Sequence, residues 1–466
     1  MAAKAVRQAP QVTLARRPGT HWLAANLPSA WRTCYEDDSE APAAPPALLV
    51  RWGSVEGPEG SSLTLNPRER LQAVLGPEQV QHAWASARVR SLPPEVAPAQ
   101  VRRRLRVDLF NGQVLAVHLR GRGGKLQPLN WNASREGMLV AWHAMRAMHA
   151  LRLDFGAIWI GIHGYRTYAL TAEPAPPLSR SIAALYAAGL RGLEQPGLWW
   201  PGDPPAAAEG VVLGADPEFV LRDHATGDML AASDFFPRFG VVGCDRQIID
   251  RATHALALVE LRPTPSTNPV ELTQHIRQAL LLAARRMPGR EVEWLAGSRP
   301  FPRFAIGGHI HFSGVPLSRH LLVALDNYLA LPVMMLERSS TARLRRRRYG
   351  FLGDVRLKDH GGFEYRTLPS WLISPGLTQA VLSLAKLVVT HYAFLRQDRL
   401  ADASWQDAFH TCDKDQFYDL MPEVWRDLQA LPGYEAFEAD LVPLQTMIER
   451  RQRWNEQVNI RETWHV

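Results

Sequence analysis

Four short, otherwise apolar segments of this chain each carry two ionisable residues that are two positions apart. These residues are Asp216 and Glu218, Glu260 and Arg262, His309 and His311, and Glu364 and Arg366. Because successive side chains of an extended strand alternate between its two faces, both members of each pair project to the same side. If the four strands share a sheet, one face carries four carboxylates, two guanidiniums and two imidazoles. The pattern predicts a reaction surface rather than a core.

The length and composition of the chain indicate a protein of several domains. Its 466 residues, of which 46% are hydrophobic, suffice for more than one buried core. No run of about eighteen apolar residues occurs, so we expect no membrane span and no membrane partner. The first residues lack the apolar stretch of a secretory signal. Three widely separated cysteines fit reduced thiols in the cytoplasm better than a disulfide framework.

Changes in composition and periodicity divide the chain into five parts. They are a poorly ordered arm over residues 1–45, an α+β domain over 46–195, a linker rich in proline and glycine over 196–209, a second α+β domain over 210–400 and a helical extension over 401–466. In the first domain, Asn111 and Gly112 predict the turn of a β-hairpin. In the second domain, strand pairs alternate with helices, one of them capped by Asn268, and this predicts a largely antiparallel sheet.

The chain is basic, with a formal net charge of +7, and much of the excess lies in clusters at residues 102–106 and 343–348. A basic protein is suited to phosphates, acidic substrates or nucleic acid. The second cluster closely precedes the strand that carries Glu364, which favours a functional role for these arginines. An alternative of a different class is a non-catalytic protein that binds nucleic acid or another polyanion through residues 343–348.

Two segments of the first domain resemble the C-terminal part of an ATP-grasp ligase. They read L-R-L-D-F-G-A-I-W-I-G-I and Y-A-L-T-A-E-P-A-P-P-L-S. ATP-grasp enzymes hold magnesium with acidic and asparagine side chains, but the matching positions here are Trp159, Thr171 and Glu173. A hard cation needs several oxygen ligands, and Glu173 alone does not supply them. The resemblance therefore implies a truncated, degenerate ATP-grasp-like domain with a structural or substrate-docking role. The alternative is that both halves of the chain ligate in sequence.

Five motifs of the second domain occur in the order found in carboxylate-amine ligases. They are G-A-D-P-E-F, G-C-D, E-L-R-P, G-G-H-I-H-F and E-Y-R-T-L-P-S-W. Through these motifs the domain resembles the phage and bacterial amidoligases of the glutamine synthetase and glutamate-cysteine ligase superfamily. The resemblance implies a glutamine-synthetase-like fold with a mostly antiparallel sheet and flanking helices. Asp216 replaces the first glutamate of the pattern, and Arg246 follows Asp245 where relatives often have glycine.

The resemblance implies an ATP-dependent ligase that phosphorylates the carboxylate of a peptide or amino acid, so that an amine attacks the acyl phosphate. Divalent ions and arginines position the phosphates in such reactions. We expect Mg²⁺ or Mn²⁺ to be held by Asp216, Glu218, Glu260, His309 and Glu364. We expect the nucleotide or substrate to be contacted by His311, Arg366, Arg347 and Arg356. The residues expected to act in catalysis are Arg262, Arg366, Glu364 and His309.

Each of these assignments has a structural alternative. The two histidines also fit buried structural residues, and the two Glu–Arg pairs also fit cross-strand ion pairs on a solvated face. Gly307 and Gly308 either let a ligand approach the backbone or mark a β-bulge. Asp245 is given no role because of the arginine that follows it. We expect a cytoplasmic enzyme that requires no nucleic acid, and we leave open a homo-oligomer.

Overall fold

The computed structural model describes residues 10–35, 48–52, 63–74, 76–93, 96, 100–101, 103–193, 210–287, 289, 291–359 and 361–466. These residues form two compact units. The first unit comprises the described residues up to 205 together with Ser318–His320, and the second comprises the remainder. Both units combine helices with sheets, so the predicted α+β class is confirmed. The predicted linker over 196–209 lies outside the described residues.

The described part of the first unit contains a parallel sheet, an antiparallel sheet and five α-helices. Its strands are β1 (Gln11–Leu14), β2 (Arg32–Tyr35), β3 (Leu48–Trp52), β4 (Leu63–Leu65), β5 (Arg103–Phe110), β6 (Gln113–Arg120), β7 (Leu126–Pro128), β8 (Phe155–His163) and β9 (Arg166–Glu173). Its helices are α1 (Thr20–Asn26), α2 (Arg68–Ala73), α3 (Pro77–Ser86), α4 (Arg135–Ala150) and α5 (Arg180–Gly192).

The parallel sheet includes a segment that the sequence placed in a disordered arm. Its strand order is β2-β1-β3-β4, and Val12 lies opposite Val50 in the register. Every residue of β1 and β3 is buried, and Val12 packs in one core with Trp52. The prediction of a poorly ordered arm over 1–45 is therefore wrong for residues 10–35. This pairing joins segments that are distant in sequence, so no local pattern revealed it.

The antiparallel sheet has the order β7-β6-β5-β8-β9 and confirms the predicted hairpin. Asn111 and Gly112 connect β5 to β6 with positive φ angles of 49° and 75°, as a type I′ turn requires. α4 packs against this sheet, and its N-cap Ser134 accepts a hydrogen bond from Gly137 N at 3.0 Å. The ATP-grasp-like character of this unit stays a prediction.

A buried histidine of α4 makes the stability of the first unit depend on pH. Burial, together with the charge of Arg146, lowers the pKa of His143 from 6.5 to about 3, and its Nδ1 lies 2.9 Å from Thr167 Oγ1. The unfolded chain therefore binds a proton at a higher pH than the folded chain, and stability falls as the pH drops below 6.5. From about pH 8 to pH 5, this histidine should lower the free energy of unfolding by about 2 kcal/mol.

Chemical denaturation across this pH range measures the loss. The variant His143→Gln retains a side chain that can hydrogen-bond but does not titrate, so its stability should depend less on pH by about the same amount. His163→Gln replaces an exposed histidine of β8 and serves as the matched control. If the free energy of unfolding of His143→Gln falls between about pH 8 and pH 5 as much as that of the wild-type chain, the prediction is contradicted.

The second unit carries eight strands and most of the helices of the described chain. Its strands are β10 (Val212–Asp223), β11 (Met229–Leu230), β12 (Val242–Cys244), β13 (Leu258–Leu261), β14 (Val292–Leu295), β15 (Gly308–Ser313), β16 (Val355–Leu357) and β17 (Phe363–Tyr365). The helices from α6 onward are α6 (Pro269–Arg286), α7 (Arg319–Leu325), α8 (Leu331–Met334), α9 (Ser339–Arg345), α10 (Pro375–His391), α11 (Ala403–Thr411), α12 (Met421–Gln429), α13 (Glu438–Glu449) and α14 (Ile460–Trp464).

An eight-stranded sheet forms the centre of the second unit. Along its main path the strands have the order β12-β13-β10-β15-β17-β16, and β11 and β14 also pair with β10. All of these pairings are antiparallel, as predicted. β10 has twelve residues and is long enough to pair with four partners. It therefore sets the position of the strands on both of its sides.

Two long helices of the second unit begin at side-chain caps, and the cap of the first was predicted. α6 starts after Asn268, whose side chain accepts a hydrogen bond from Val270 N at 2.8 Å. α10 starts after Ser374, whose hydroxyl accepts a hydrogen bond from Leu377 N at 3.3 Å. The segment Pro375–Phe394 is long and apolar enough to cross a membrane, but 72% of its apolar window is buried inside the structure. That burial is typical of a core helix.

A π-helical turn lies at Asp326–Ala330, between α7 and α8. The buried carboxylate of Asp326 accepts hydrogen bonds from Tyr365 Oη at 2.8 Å and from Gly353 N at 2.9 Å. Such turns occur frequently near functional sites. Here the turn attaches the short strand β17 to the helices of the unit.

The C-terminal residues pack against loops of the central sheet. Glu456 accepts hydrogen bonds from Ser298 N at 2.8 Å and from Thr341 Oγ1 at 3.0 Å. In α14, Trp464 Nε1 donates to the carbonyl of Leu372 at 2.8 Å. The helices over 401–466 thus form part of the second unit.

Candidate active site

The four predicted pairs lie on neighbouring strands of the central sheet, namely β13, β10, β15 and β17. The residues that oppose each other in the register are Glu218 with Glu260, Asp216 with His309, and His311 with Glu364. The structure therefore brings the predicted carboxylates and imidazoles together from segments that are widely separated in sequence.

The first group of candidate metal ligands, the first triad, consists of Asp216, His309 and Glu364. One ligand atom from each residue lies within 4.8 Å of the other two. Nδ1 of His309 lies 3.0 Å from Asp216 Oδ1 and 3.4 Å from Glu364 Oε1. His311 contacts the same aspartate, with its Nε2 3.0 Å from Oδ2. Both histidines thus face acids rather than an apolar core.

The second triad consists of Glu218, Asp245 and Glu260, again with ligand atoms within 4.8 Å of one another. Asp245 follows β12 and was given no role from the sequence, although the G-C-D motif marked its position. Gly307 N donates a hydrogen bond to Glu218 Oε2 at 2.7 Å. A Cβ at Gly307 would lie 2.4 Å from His309 Nε2, so any side chain at this position would displace the imidazole of His309.

The second triad is deficient in positive charge. Burial, reinforced by the negative charge of Asp245, raises the pKa of Glu218 well above its usual range. Burial and the charge of Asp216 raise the pKa of Glu260 to about 7, although Arg262 opposes the shift. A divalent cation would favour the charged form of both glutamates.

The first triad is already compensated by its histidines and by neighbouring cations. Burial opposes the ionisation of Asp216, but the charges of His309 and His311 hold its pKa well below its usual range. Burial and Asp216 likewise oppose the ionisation of Glu364, yet His309 and Arg356 lower its pKa. Oδ1 of Asp216 is buried without a well-aligned hydrogen bond from any described residue. It therefore has lone pairs available for a cation.

Three cations contact Glu364, whose side chain has no exposed surface. Its nearest contacts are Arg366 Nε at 3.1 Å, Arg356 Nη1 at 3.2 Å and Lys358 Nζ at 2.5 Å. Although burial acts against the charged form, the charges of Asp354 and Glu364 raise the pKa of Arg366. Lys358 was missed from the sequence, even though it follows Arg356 at the same two-residue spacing that identified the other pairs.

Arg262 lies beside the second triad, where it forms an ion pair with Glu260. It also donates a hydrogen bond to the carbonyl of Gly240 at 3.2 Å. Glu260 and Arg262 therefore do form an ion pair, but it lies along one segment rather than across two strands, and the side chain of Glu260 is only 14% exposed. It does not exclude a role in the site, because the contact places a guanidinium at the edge of the triad.

The arginines over 343–348 do not form one exposed surface. Arg345 and Arg346 are each 1% exposed, and Arg346 forms an ion pair with Glu337. Arg345 donates hydrogen bonds to the carbonyls of Ile306, Thr367 and Leu368. Arg347 makes no contact with either triad within the described chain, and it lines a separate cavity. A polyanion surface built from the whole cluster is thus contradicted by burial.

The two triads fit a pair of divalent ions. Each offers three ligand atoms, and five of the six are carboxylate oxygens, which Mg²⁺ and Mn²⁺ prefer. Two neighbouring ions are suited to phosphoryl transfer, because they neutralise both the attacking and the leaving oxygens.

Two acidic triads side by side on one sheet are suited to an enzyme that transfers a phosphoryl group from ATP. The family model described as phage phiEco32-like COOH.NH2 ligase-type 2 matches residues 213–466. The chain belongs to this family, and the predicted resemblance to carboxylate-amine ligases is confirmed. The match includes α11–α14 and so continues beyond residues 210–400, on which the resemblance was based.

Two solved structures are similar at low sequence identity. The crystal structure of a bifunctional glutathione synthetase from Pasteurella multocida is 12% identical with a TM-score of 0.37, and the match covers 56% of this chain and 51% of that one. The crystal structure of a novel glutamine synthase homolog is 17% identical with a TM-score of 0.24, covering 54% and 75% respectively. The chain thus spans about half the length of the glutathione synthetase. No protein of curated function matches the sequence.

Proposed function

We propose that the second unit joins a carboxylate to an amine at the expense of ATP, through an acyl phosphate. The carboxylate oxygen attacks the γ-phosphorus and ADP departs. The amine nitrogen then attacks the acyl carbon, and phosphate departs as the nitrogen loses a proton. The observation that supports this proposal best is the pair of acidic triads that neighbouring strands place side by side.

Each triad would hold one divalent ion. When bound, the ions neutralise phosphate charge and align the reacting oxygens. The expected ligands are Asp216, His309 and Glu364 for one ion, and Glu218, Asp245 and Glu260 for the other. His311 would position Asp216 through the contact between Nε2 and Oδ2.

The cations around Glu364 would stabilise the charge that develops on the transferring phosphoryl group. Arg356 and Arg366 carry planar guanidiniums, which hold a phosphate or carboxylate through two parallel hydrogen bonds. Lys358 adds a compact charge on the same side. Arg262 would serve the second triad in the same way, since it already lies beside Glu260.

Release of ADP tests the proposal most directly. The full chain is incubated with ATP, Mg²⁺ and a pool of peptides, amino acids and amines, and ADP is followed while mass spectrometry identifies condensation products. We expect ADP release that depends on both a carboxylate and an amine, with one product bond formed per ADP. ATP hydrolysis at a rate that does not depend on the added amine would contradict a ligase. The absence of ADP release with all of the added peptides, amino acids and amines would contradict it as well.

Asp245→Asn should weaken the affinity for Mg²⁺ or Mn²⁺ by at least about tenfold, because an amide replaces one charged ligand of the second triad. Titration of ADP release against metal concentration measures this change, and high metal should restore part of the rate. Asp250→Asn is the matched control, since Asp250 is an exposed aspartate in the same loop. Equal metal affinity in the two variants would remove Asp245 from the site.

The alternative of a non-catalytic polyanion binder predicts salt-sensitive binding of nucleic acid without turnover. The proposed polyanion surface contains five arginines over residues 343–348. Two of them, Arg345 and Arg346, are buried and cannot contact a polymer. The carboxylate-amine ligase therefore remains the function that the geometry supports best.

A further inference from the structure

A cavity of about 510 Å³ lies beside the second triad and is not used by the chemistry described above. Its volume falls within the range of about 300–1,000 Å³ that is typical of small-molecule sites. Five arginines line it, and they come from two separate segments of the chain. One of them, Arg345, is buried, and the other four are Arg299, Arg303, Arg347 and Arg348.

Arg299, Arg303, Arg347 and Arg348 have no acidic partner in the wall of this cavity. No acidic residue lines the cavity, and within the described chain none of the four arginines forms an ion pair. Arg303 instead stacks on the ring of Phe304, with its guanidinium carbon 5.5 Å from the ring centroid. Four guanidiniums around one cavity without a carboxylate partner predict an anionic ligand.

The cavity adjoins the second triad. Gln247, which lines it, donates its backbone N–H to Asp245 Oδ2 at 3.2 Å and its side-chain amide to the carbonyl of Ala305 at 3.2 Å. Ala305 also lines the cavity and lies two residues before Gly307, whose N–H donates to Glu218. A ligand in the cavity therefore lies next to the carboxylates of this triad.

A buried arginine fixes the wall of the cavity to the catalytic strands. Arg345 lines the cavity and donates to the carbonyl of Ile306, just before β15, at 2.9 Å. It also donates to the carbonyls of Thr367 and Leu368, after β17, at 2.9 and 2.6 Å. These three hydrogen bonds hold the segment that carries Arg347 and Arg348 in a set position relative to the site.

Resting on the proposed function, we propose that this cavity binds the carboxylate substrate, and that this substrate is an acidic peptide. Its additional carboxylates pair with the four arginines, while Ile248 and Tyr349, each 42% exposed, cover its apolar parts. The phosphates of the nucleotide are served by a different set of cations. Arg356, Lys358 and Arg366 contact Glu364 in the first triad, and none of them lines the cavity.

Binding of a fluorescently labelled hexaglutamate peptide to the full chain tests this assignment without turnover. Fluorescence anisotropy should show the Kd of the peptide rising at least about tenfold in the double variant R347Q/R348Q. The double variant R285Q/R286Q is the matched control, because it removes the same charge from an exposed pair of arginines at the end of α6. Its Kd should stay within about twofold of the wild-type value. The affinity for MgADP, measured by calorimetry, should be unchanged in both variants.

Three outcomes would overturn the assignment. If R347Q/R348Q weakens MgADP and spares the peptide, the cavity belongs to the nucleotide. If R285Q/R286Q loses peptide affinity equally, the attraction is general and not a property of the cavity. If the wild-type chain binds a single-stranded RNA oligonucleotide in preference to the peptide, the ligand is of another class. These binding measurements need no catalysis. If ADP release does not depend on the amine, that result contradicts the ligase activity and not the assignment of the cavity.

Discussion

Replacement of Glu364 by glutamine is expected to lower the rate of ADP release at least about a thousandfold. The side chain is completely buried, belongs to the first triad and accepts contacts from three cations. The amide keeps the shape but removes the negative charge, so a metal ligand is lost and the cations have no counter-charge. Charge stabilisation of this kind accounts for about 10²–10³ per group in comparable sites, and the loss of a metal ligand adds to it.

Steady-state kinetics of ADP release measures the effect, with thermal unfolding recorded in parallel to show that the variant is folded. Glu293→Gln is the matched control, because Glu293 pairs with Arg222 on β10 of the same sheet at 2.5 Å but belongs to neither triad. Its rate should stay within about twofold of the wild-type rate, since an ion pair away from the reacting groups does not stabilise the transition state. A fully active Glu364→Gln would refute the role of the first triad.

Replacement of Glu337 by glutamine should lower the free energy of unfolding of the second unit by about 3–5 kcal/mol. Glu337 has no exposed surface and forms an ion pair with Arg346, which is 1% exposed. It also accepts a hydrogen bond from the hydroxyl of Ser298. The substitution leaves a guanidinium buried without a counter-charge, which is far more costly than the loss of an exposed pair.

Chemical denaturation, followed through the transition of the second unit, measures this loss. Glu423→Gln is the control, because Glu423 is about half exposed and lies 3.6 Å from Arg399. Exposed pairs contribute about 0–1 kcal/mol, so this variant should be close to wild type. Substitution of both Glu337 and Arg346 by apolar residues should recover part of the stability. If Glu337→Gln is as stable as Glu423→Gln, Arg346 is not the buried charge that the structure shows.

The local spacing of residues was sufficient to predict which side chains lie close together. Two-residue spacing within a strand fixes which side chains share a face, and this spacing identified five of the six triad residues. Asp245 lies in a loop after β12, and it was left without a role because Arg246 follows it, although the G-C-D motif marked its position. Its place in the site depends on the pairing of β12 with β13, which brings Gly243 opposite Glu260.

The predictions that were wrong concern segments whose burial depends on residues far away in the sequence. A run of arginines suggests a solvated surface, yet Arg346 is buried against Glu337, nine residues earlier. Arg345 is buried against carbonyls that precede β15 and follow β17. In the same way, no local pattern indicated that β1 would be enclosed between β2 and β3. Such burial depends on contacts between segments that have no common local pattern.

The π-helical turn has a consequence for how the site meets its ligands. β17 has only three residues, and a strand so short has few ladder hydrogen bonds with which to resist motion. Asp326 supplies an anchor through Tyr365, the residue directly after Glu364. Glu364 is therefore held in position before a nucleotide binds. Binding of the nucleotide then costs little free energy for ordering β17.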